Sequence, residues 1–464
     1  MTRVKTALIA AIALACSGLL IAQAPSTPPR KQAPGPWRFI GPQPCVNAEG
    51  SVIGCPPAAR TIAVRAGRLF DSATGQMLTR QIVLINGERI TDVGPESQLK
   101  VPAGVPVIDL SQSTVVPGLI DAHTHMFNTR PTSMSMERSM LVAMQNLQAD
   151  LYAGVTTARD MSSHGNGYAD VEIRNAINMG DIDGPRFQVS GRGIRWSAEP
   201  AKGPENPLDY QVIRSADEGR AAVREHVAKG VDWIKLFPTG AYSFSPTGEA
   251  QYVLMYPLPV LQAIIEESHK LGKKVGCHSF GGEGLQNSIV AGCDTVEHGY
   301  GLTQAQLDTM VKKGLLYDPT LMRYSAPFMD DNDAKNTGGK FRMTPIFENA
   351  VSMAVRTKGL KVLIGSGVDG TTFVHGTQAL EFAGLVKRGM TPAAAIQAGT
   401  IVNAQAMGWQ DQVGSIAKGK FADLVAVSGN PLTDINELQR VKFVMKGGKI
   451  IRNEVPSASA TGTR

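Results

Sequence analysis

The chain has 464 residues, 43% hydrophobic and 19% charged, the values of a globular protein rather than a disordered one. That length buries a large core and accommodates one large barrel or more than one domain. A formal charge of +6 without any long Lys/Arg run argues against a nucleic-acid partner.

Residues 1–24 read as an export signal. Arg3 and Lys5 form a positive start, and Ala7 to Ile21 is an apolar stretch too short and too Ala-rich for a membrane span. Ala22-Gln23-Ala24 offers small residues for cleavage; Pro25 hinders a cut directly after Ala24, so Ala22 is a rival site. Leu14-Ala15-Cys16 also hints at lipidation of Cys16, although apolar sequence continues beyond that cysteine. No later apolar run is long enough to span a bilayer, so the expectation is a periplasmic or secreted protein, off the membrane once its leader is removed.

Residues 25–58 are a Pro/Gly-rich extension without helical period. Cys45 and Cys55 flank a short loop there and suit a local disulfide in an exported segment. Cys277 and Cys293 are in no Cys-x-x-Cys arrangement and read as reduced, buried packing residues.

Residues 59–114 carry short β-like runs: Thr61 to Arg65, Gly67 to Asp71, Gln81 to Ile90 with a hairpin signal at Asn86-Gly87, and Val107 to Leu110. Residues 405–455 hold a counterpart in Gly414 to Ile416, Ala422 to Val427 and Val441 to Ile451. The two ends are expected to meet in one small β-sandwich, followed by a flexible tail at 456–464. Between them, residues 115–404 contain eight strand candidates: 115–125, 156–161, 186–191, 232–237, 274–280, 295–300, 315–320 and 362–369. Helical-period segments such as 140–152, 216–229, 259–271, 304–313 and 377–387 separate most of them. Strands alternating with helices predict an α/β fold, a (β/α)8 TIM barrel.

The chemistry sits at the ends of those strands. Val115 to His125 runs from a buried apolar strand into His123 and His125, which point to the same side because strand residues two apart share a face. Two satisfied structural histidines would give the same pattern, so the other strands must decide. The fourth strand carries Lys235, the fifth His278, the sixth His298, and the eighth ends at Asp369. Imidazoles and a carboxylate together suit Zn²⁺ and similar ions. Lys235 is the odd member, since a buried ammonium costs several kcal/mol unless paired. It is either in an ion pair, with Asp369 or Asp160, or a neutral amine that has taken up carbon dioxide as a carbamate.

Asp-Ala-His-Thr-His on the first strand, Lys on the fourth, single histidines on the fifth and sixth and Asp on the eighth resemble the amidohydrolase superfamily. So do Pro117-Gly-Leu-Ile-Asp121, Gly154-Val-Thr-Thr-Ala-Arg-Asp160 and Gly414-Ser-Ile-Ala-Lys-Gly-Lys-Phe-Ala-Asp-Leu424, and the likeness covers about Thr61 to Asn453. Within it the chain is most similar to the imidazolonepropionase-related, prolidase-like branch of Xaa-Pro and Xaa-Arg/Lys dipeptidases and ochratoxin-type amidases. The resemblance implies two zinc or other divalent ions. His123, His125 and Asp369 would bind one, His278 and His298 the other, and carboxylated Lys235 would bridge them. It also implies attack by a bridging hydroxide on an amide carbonyl, with Asp369 as the catalytic proton carrier. The implied partner is a small amide or peptide; a homo-oligomer is compatible with the sequence.

Phe280 departs from that pattern. It stands where the branch places Tyr or His toward a substrate carboxylate, and a phenyl ring cannot pair with one. Tyr242 in the loop after the fourth strand, Arg323 and Tyr324 after the seventh and His375 just past Asp369 are other donors that would compensate, with Arg195 and Trp196 as weaker candidates at the mouth. His226 and His269 lie on helices with charged neighbours and read as surface residues; His164 has no assigned role. The first expectation is an amide or dipeptide hydrolase. The alternative keeps the site but acts on a cyclic amide, lactone or ester, and a scaffold without activity is the third.

Overall fold

The computed structural model describes residues 60–128, 134–198, 207–324, 340–370 and 373–455, together with three two-residue strands, Lys31–Gln32, Cys45–Val46 and Val52–Ile53. Residues 1–55 form a unit of their own, in which those three strands pair antiparallel. The expected leader, the Cys45–Cys55 pairing and the tail lie outside the described residues.

In the larger unit the two chain ends build one sheet. Thr61–Asp71, Gln76–Asn86, Arg89–Pro95 and Val107–Pro117 come from the N-terminal side, and Leu424–Val427, Phe443–Lys446 and Lys449–Asn453 from the C-terminal side. The seam is the antiparallel pairing of Thr114, Val115, Val116 and Pro117 with Val427, Ala426, Val425 and Leu424. Asn86 faces Arg89 across the turn, with Gly87 at φ 58°, as the Asn-Gly signal requires. Further bonds from Ile90 to Lys420 and from Ala422 to Glu88 curl the sheet back on itself around a core that includes Val64, Val83, Leu110, Leu424 and Phe443.

One long apolar run thus serves both halves. Val107–Pro117 belongs to the sandwich, and Leu119–Thr124 is the first barrel strand. The hand-over falls at Gly118 rather than at Val115 as the sequence pattern placed it. A Cβ there would lie 2.0 Å from Thr156 Oγ1, so only glycine lets the chain cross so close to the second strand.

The barrel strands are Leu119–Thr124, Val155–Asp160, Arg186–Gln188 extended by Gly193–Trp196, Trp233–Leu236, Lys274–Ser279, Thr295–His298, Leu316–Asp318 and an eighth beginning at Lys361–Val362. The third joins the fourth through Asp232 and Trp233 N–H groups donating to the Val189 carbonyl. The eighth closes on the first through Ala122 N–H to Ile364, His125 N–H to Val368 and Gly367 N–H to the His123 carbonyl. Among the described residues a helix follows each strand: 136–152, 169–179, 216–228, 258–270, 282–291, 304–313, 340–356 and 379–387. This is the (β/α)8 barrel plus β-sandwich that the sequence predicts.

Two expectations need correction. Cys277 and Cys293 are not reduced: they form a disulfide, with Cα atoms 6.0 Å apart, tying the fifth strand to the turn before the sixth. His226 is not on the surface. It is buried against Gln211, at 2.9 Å, and the edge of the Tyr168 ring. His269 is exposed and pairs with Asp294, as expected.

Candidate metal centre

The C-terminal ends of the strands bring the four expected histidines into one cluster. His123 lies 5.1 Å from His125 and 5.3 Å from His298, centroid to centroid, and His278 lies 4.5 Å from His298. His278 Nδ1 and His298 Nε2 face each other at 2.9 Å. All four rings are buried or nearly so, and burial, reinforced by their mutual charges and by Lys235, holds His125, His278 and His298 well below the usual imidazole range and His123 near 3. Neutral imidazole is the form that ligates a metal.

Lys235 is 1% exposed, and its Nζ has no hydrogen-bond partner among the described residues. The two ion-pair readings fail. Asp160 spends its carboxylate on the Met126 and Ser162 N–H groups, and Asp369 pairs with Arg323 at 2.6 Å. Burial pushes the Lys235 ammonium down to about 8, against the fields of Glu297, Asp318 and Asp160. His123 Nε2 is another orphan of the cluster, buried and without a hydrogen-bond partner among the described residues, as are His164 Nδ1 and both carboxylate oxygens of Asp318. A bare imidazole nitrogen on His123 and the Asp318 carboxylate without a hydrogen bond, among neutral imidazoles, fit a divalent cation.

Residues that strand-end reading missed hold this cluster in place. Glu297 accepts from His123 Nδ1 at 2.6 Å and from Arg159 at 3.1 Å. Burial opposes its charge, but Arg159 and His123 outweigh burial and keep the carboxyl well below the ordinary range. Turning Nδ1 toward a carboxylate leaves Nε2 for a metal, the arrangement that orients a ligating histidine. Glu297 and Asp318 each also offer an oxygen within 4.8 Å of His123 and of each other, but Glu297 is already committed to Arg159 and His123. Arg159 is fully buried and lies 4.2 Å from the Trp233 ring. Asp121 accepts from the His123 and Ser366 N–H groups and the Ser366 hydroxyl, pinning the first strand to the eighth; burial still pushes its carboxyl up to about 7. His164 stacks on His125 at 4.0 Å. The sequence signal for Glu297 is a carboxylate inside the apolar strand run Thr295–His298, immediately before a strand-end histidine.

The backbone is strained around the same spot. Ser162, His164, His298 and Thr320 all have positive φ without being glycine. At Thr320, at +46°, a β-branched side chain makes this costly, on the order of 1–3 kcal/mol. The Thr320 hydroxyl sits 2.7 Å from His298 Nδ1 and fixes that ring.

A cavity of about 300 Å3 opens beside His278. Phe280 lines it, packed on His278 at 4.2 Å and stacked on Tyr300 at 4.4 Å. Tyr242 sits on the hairpin Thr239–Phe244 and Ala250–Leu254 with its ring against Phe280 at 5.7 Å. Arg323 and Tyr324 approach from the seventh strand; Arg323 is committed to Asp369 and the Gly367 carbonyl, and Tyr324 packs on His298 at 5.3 Å. The structure does not bring His375 to this cavity. Its Nδ1 meets Asp150 at 2.8 Å and its Nε2 meets the His125 carbonyl at 3.2 Å, so it buttresses the first strand from behind.

Residues 114–451 match the model of the amidohydrolase family. Among curated proteins the chain is similar to ochratoxinase of Aspergillus niger, 26% identical over 446 residues, covering 86% of this chain and 88% of that one. Among solved structures, a Xaa-Pro dipeptidase with methionine bound in its active site superposes with TM-score 0.73 at 29% identity, covering 84% of this chain and 99% of the other. A putative prolidase from Bifidobacterium longum gives TM-score 0.73 at 26% identity, covering 86% and 97%. The chain therefore belongs to the amidohydrolase family, hydrolases of carbon–nitrogen bonds, on the side that holds the prolidases and ochratoxinase.

Proposed function

We propose that this protein is an exported, binuclear metal-dependent amidohydrolase that cleaves the amide bond of a dipeptide or an N-acyl amino acid. The observation that carries this is the Lys235 amine, buried beside four imidazoles and without a hydrogen-bond partner among the described residues. As a neutral amine it adds to carbon dioxide, forming an N–C bond and releasing one proton. The resulting carbamate would add two anionic oxygens to a ligand set for two divalent ions drawn from His123, His125, Asp369, His278 and His298. Bound zinc, or another divalent ion, would supply Lewis-acid polarisation of the scissile carbonyl and an acidified water.

The chain's own residues handle the proton. Asp369, held as an anion by Arg323 at 2.6 Å, takes the proton of the attacking water as oxygen bonds to the carbonyl carbon. It then delivers that proton to the departing nitrogen as the C–N bond breaks. Phe280, Tyr300 and Tyr324 wall this site with rings and exclude bulk water, which strengthens each charge interaction inside it. Export is supported by the Cys277–Cys293 disulfide, since such bonds persist in oxidising compartments. N-terminal sequencing of the mature protein would show a start near residue 25 if it is exported, and Met1 if it is not.

A lactone, cyclic amide or ester substrate is the second reading, favoured by the phenyl ring of Phe280 where a carboxylate partner would serve an amino acid. A panel of dipeptides, N-acyl amino acids, lactones and aryl esters, offered to metal-replete enzyme, separates the two. Turnover confined to lactones and esters would replace the first reading with the second.

A further inference from the structure

The cavity beside His278 has apolar walls and one cation. Tyr210, Phe237, Met255 and Phe280 line it together with Arg195, whose side chain is exposed. Arg195 is on the extension of the third strand, Gly193–Trp196, which is clamped on both edges. It pairs parallel with Tyr210–Ile213 in the register Arg195 to Val212, and Ile194 pairs with Leu236 of the fourth strand. The Tyr256 hydroxyl donates to the Ile194 carbonyl and fixes the same backbone from below. The arginine is therefore placed by rigid elements, not by a loop.

Its guanidinium makes no hydrogen bond and no ion pair within 4.0 Å among the described residues. It lies 5.6 Å from the centroid of the Tyr210 ring. Asp209 feels its field but is not in contact. From Tyr210 a row of ring contacts leads back to the metal centre: Tyr210 to Phe237 at 5.2 Å, and Phe237 to His278 at 5.2 Å. Arg323, a further cation near the site, is already paired with Asp369.

We infer that Arg195 is a specificity-determining residue for substrates that carry an anionic group remote from the scissile amide, joined to it by an apolar or aromatic segment lying along Phe237 and Tyr210. This rests on the amide-hydrolase reading above. It does not replace the α-carboxylate contact that Phe280 lacks: the anion it meets is a second one, at the far end of the cavity, two rings away from His278. A planar guanidinium pairs with a carboxylate through two parallel N–H bonds, and being partly solvated it gives selectivity of modest size.

The test uses glycyl-phenylalanine, its ring 4-carboxylated form and its ring 4-carboxamide, with wild type and Arg195→Met. Wild type should prefer the ring carboxylate over the carboxamide by about fivefold in kcat/KM, carried by KM, with the preference shrinking as salt is added. Arg195→Met should abolish the preference, with kcat/KM for the ring carboxylate falling to that for the carboxamide. Binding of free 4-carboxyphenylalanine against phenylalanine, measured by calorimetry, tests the inference without turnover. No preference in wild type, or the same preference in Arg195→Met, overturns it. Failure to hydrolyse any of the three, with the binding preference intact and lost in Arg195→Met, refutes the dipeptide reading and leaves the anion site standing.

Discussion

Replacing Glu297 by Gln tests how the cluster is held. The carboxylate accepts from His123 Nδ1 at 2.6 Å and from Arg159 at 3.1 Å, with all three groups buried. An amide at this position keeps the shape but has one acceptor where two cationic or polar donors converge, and it presents an NH2 to one of them. His123 then loses the bond that turns Nε2 toward the metal. Loss of such an orienting carboxylate lowers metal affinity by about 10- to 100-fold, or about 1.4–2.8 kcal/mol. Arg159 would be left with Asp318, at 3.6 Å, as its anionic neighbour, so global stability should fall by about 3 kcal/mol. Chelator competition measures the first effect and urea unfolding of the metal-free protein the second. Thr295→Val is the control, because Thr295 touches Glu297 and Arg159 but not His123. A folded Glu297→Gln protein that binds metal as tightly as wild type would refute the assignment of Glu297 as the orienting group.

Three further outcomes follow from other parts of the molecule. Burial first, then Arg192, pushes His226 down to about 4. A depressed imidazole gives stability that is full above its unfolded value near 6.5 and is lost as pH falls toward 4, on the order of 3 kcal/mol in all. His226→Gln should therefore have a shallower acid limb than wild type between pH 6.5 and 4 in urea titrations, and an identical limb would contradict the burial argument. The Cys277–Cys293 bond closes a short loop with sequence separation 16, so the double serine variant should lose about 3 kcal/mol; free thiols at both positions in the native protein would count against the bond. At Gly281 a Cβ would lie 2.4 Å from the Tyr252 ring, so Gly281→Ala should displace the hairpin that carries Tyr242 and raise KM more than it lowers kcat. Unchanged KM would mean the hairpin does not touch substrate.

The barrel and the cluster of strand-end residues were legible because both follow from local pattern. Alternating strands and helices specify the architecture, and a strand ending in His-x-His displays its chemistry at a fixed place. What was illegible depends on partners distant in sequence. Nothing near Cys277 says that Cys293 will meet it after a helix has turned the chain back. His226 has Glu225 and Arg224 beside it, but its own face packs under Tyr168 and Gln211, and helix neighbours do not reveal that. His375 follows Asp369 closely in sequence, yet it lies behind the first strand against Asp150. Arg195 looked like a mouth residue, and its clamped strand and open guanidinium emerged only from the sheet pairing.

Metal content of the purified protein, with and without the Lys235→Ala substitution, bears on the account most directly. Zinc-replete wild type, measured by elemental analysis after gel filtration, should carry two divalent ions per chain, and Lys235→Ala should lose at least one of them. Two tightly bound ions in Lys235→Ala, or none in the zinc-supplemented wild type, would contradict it.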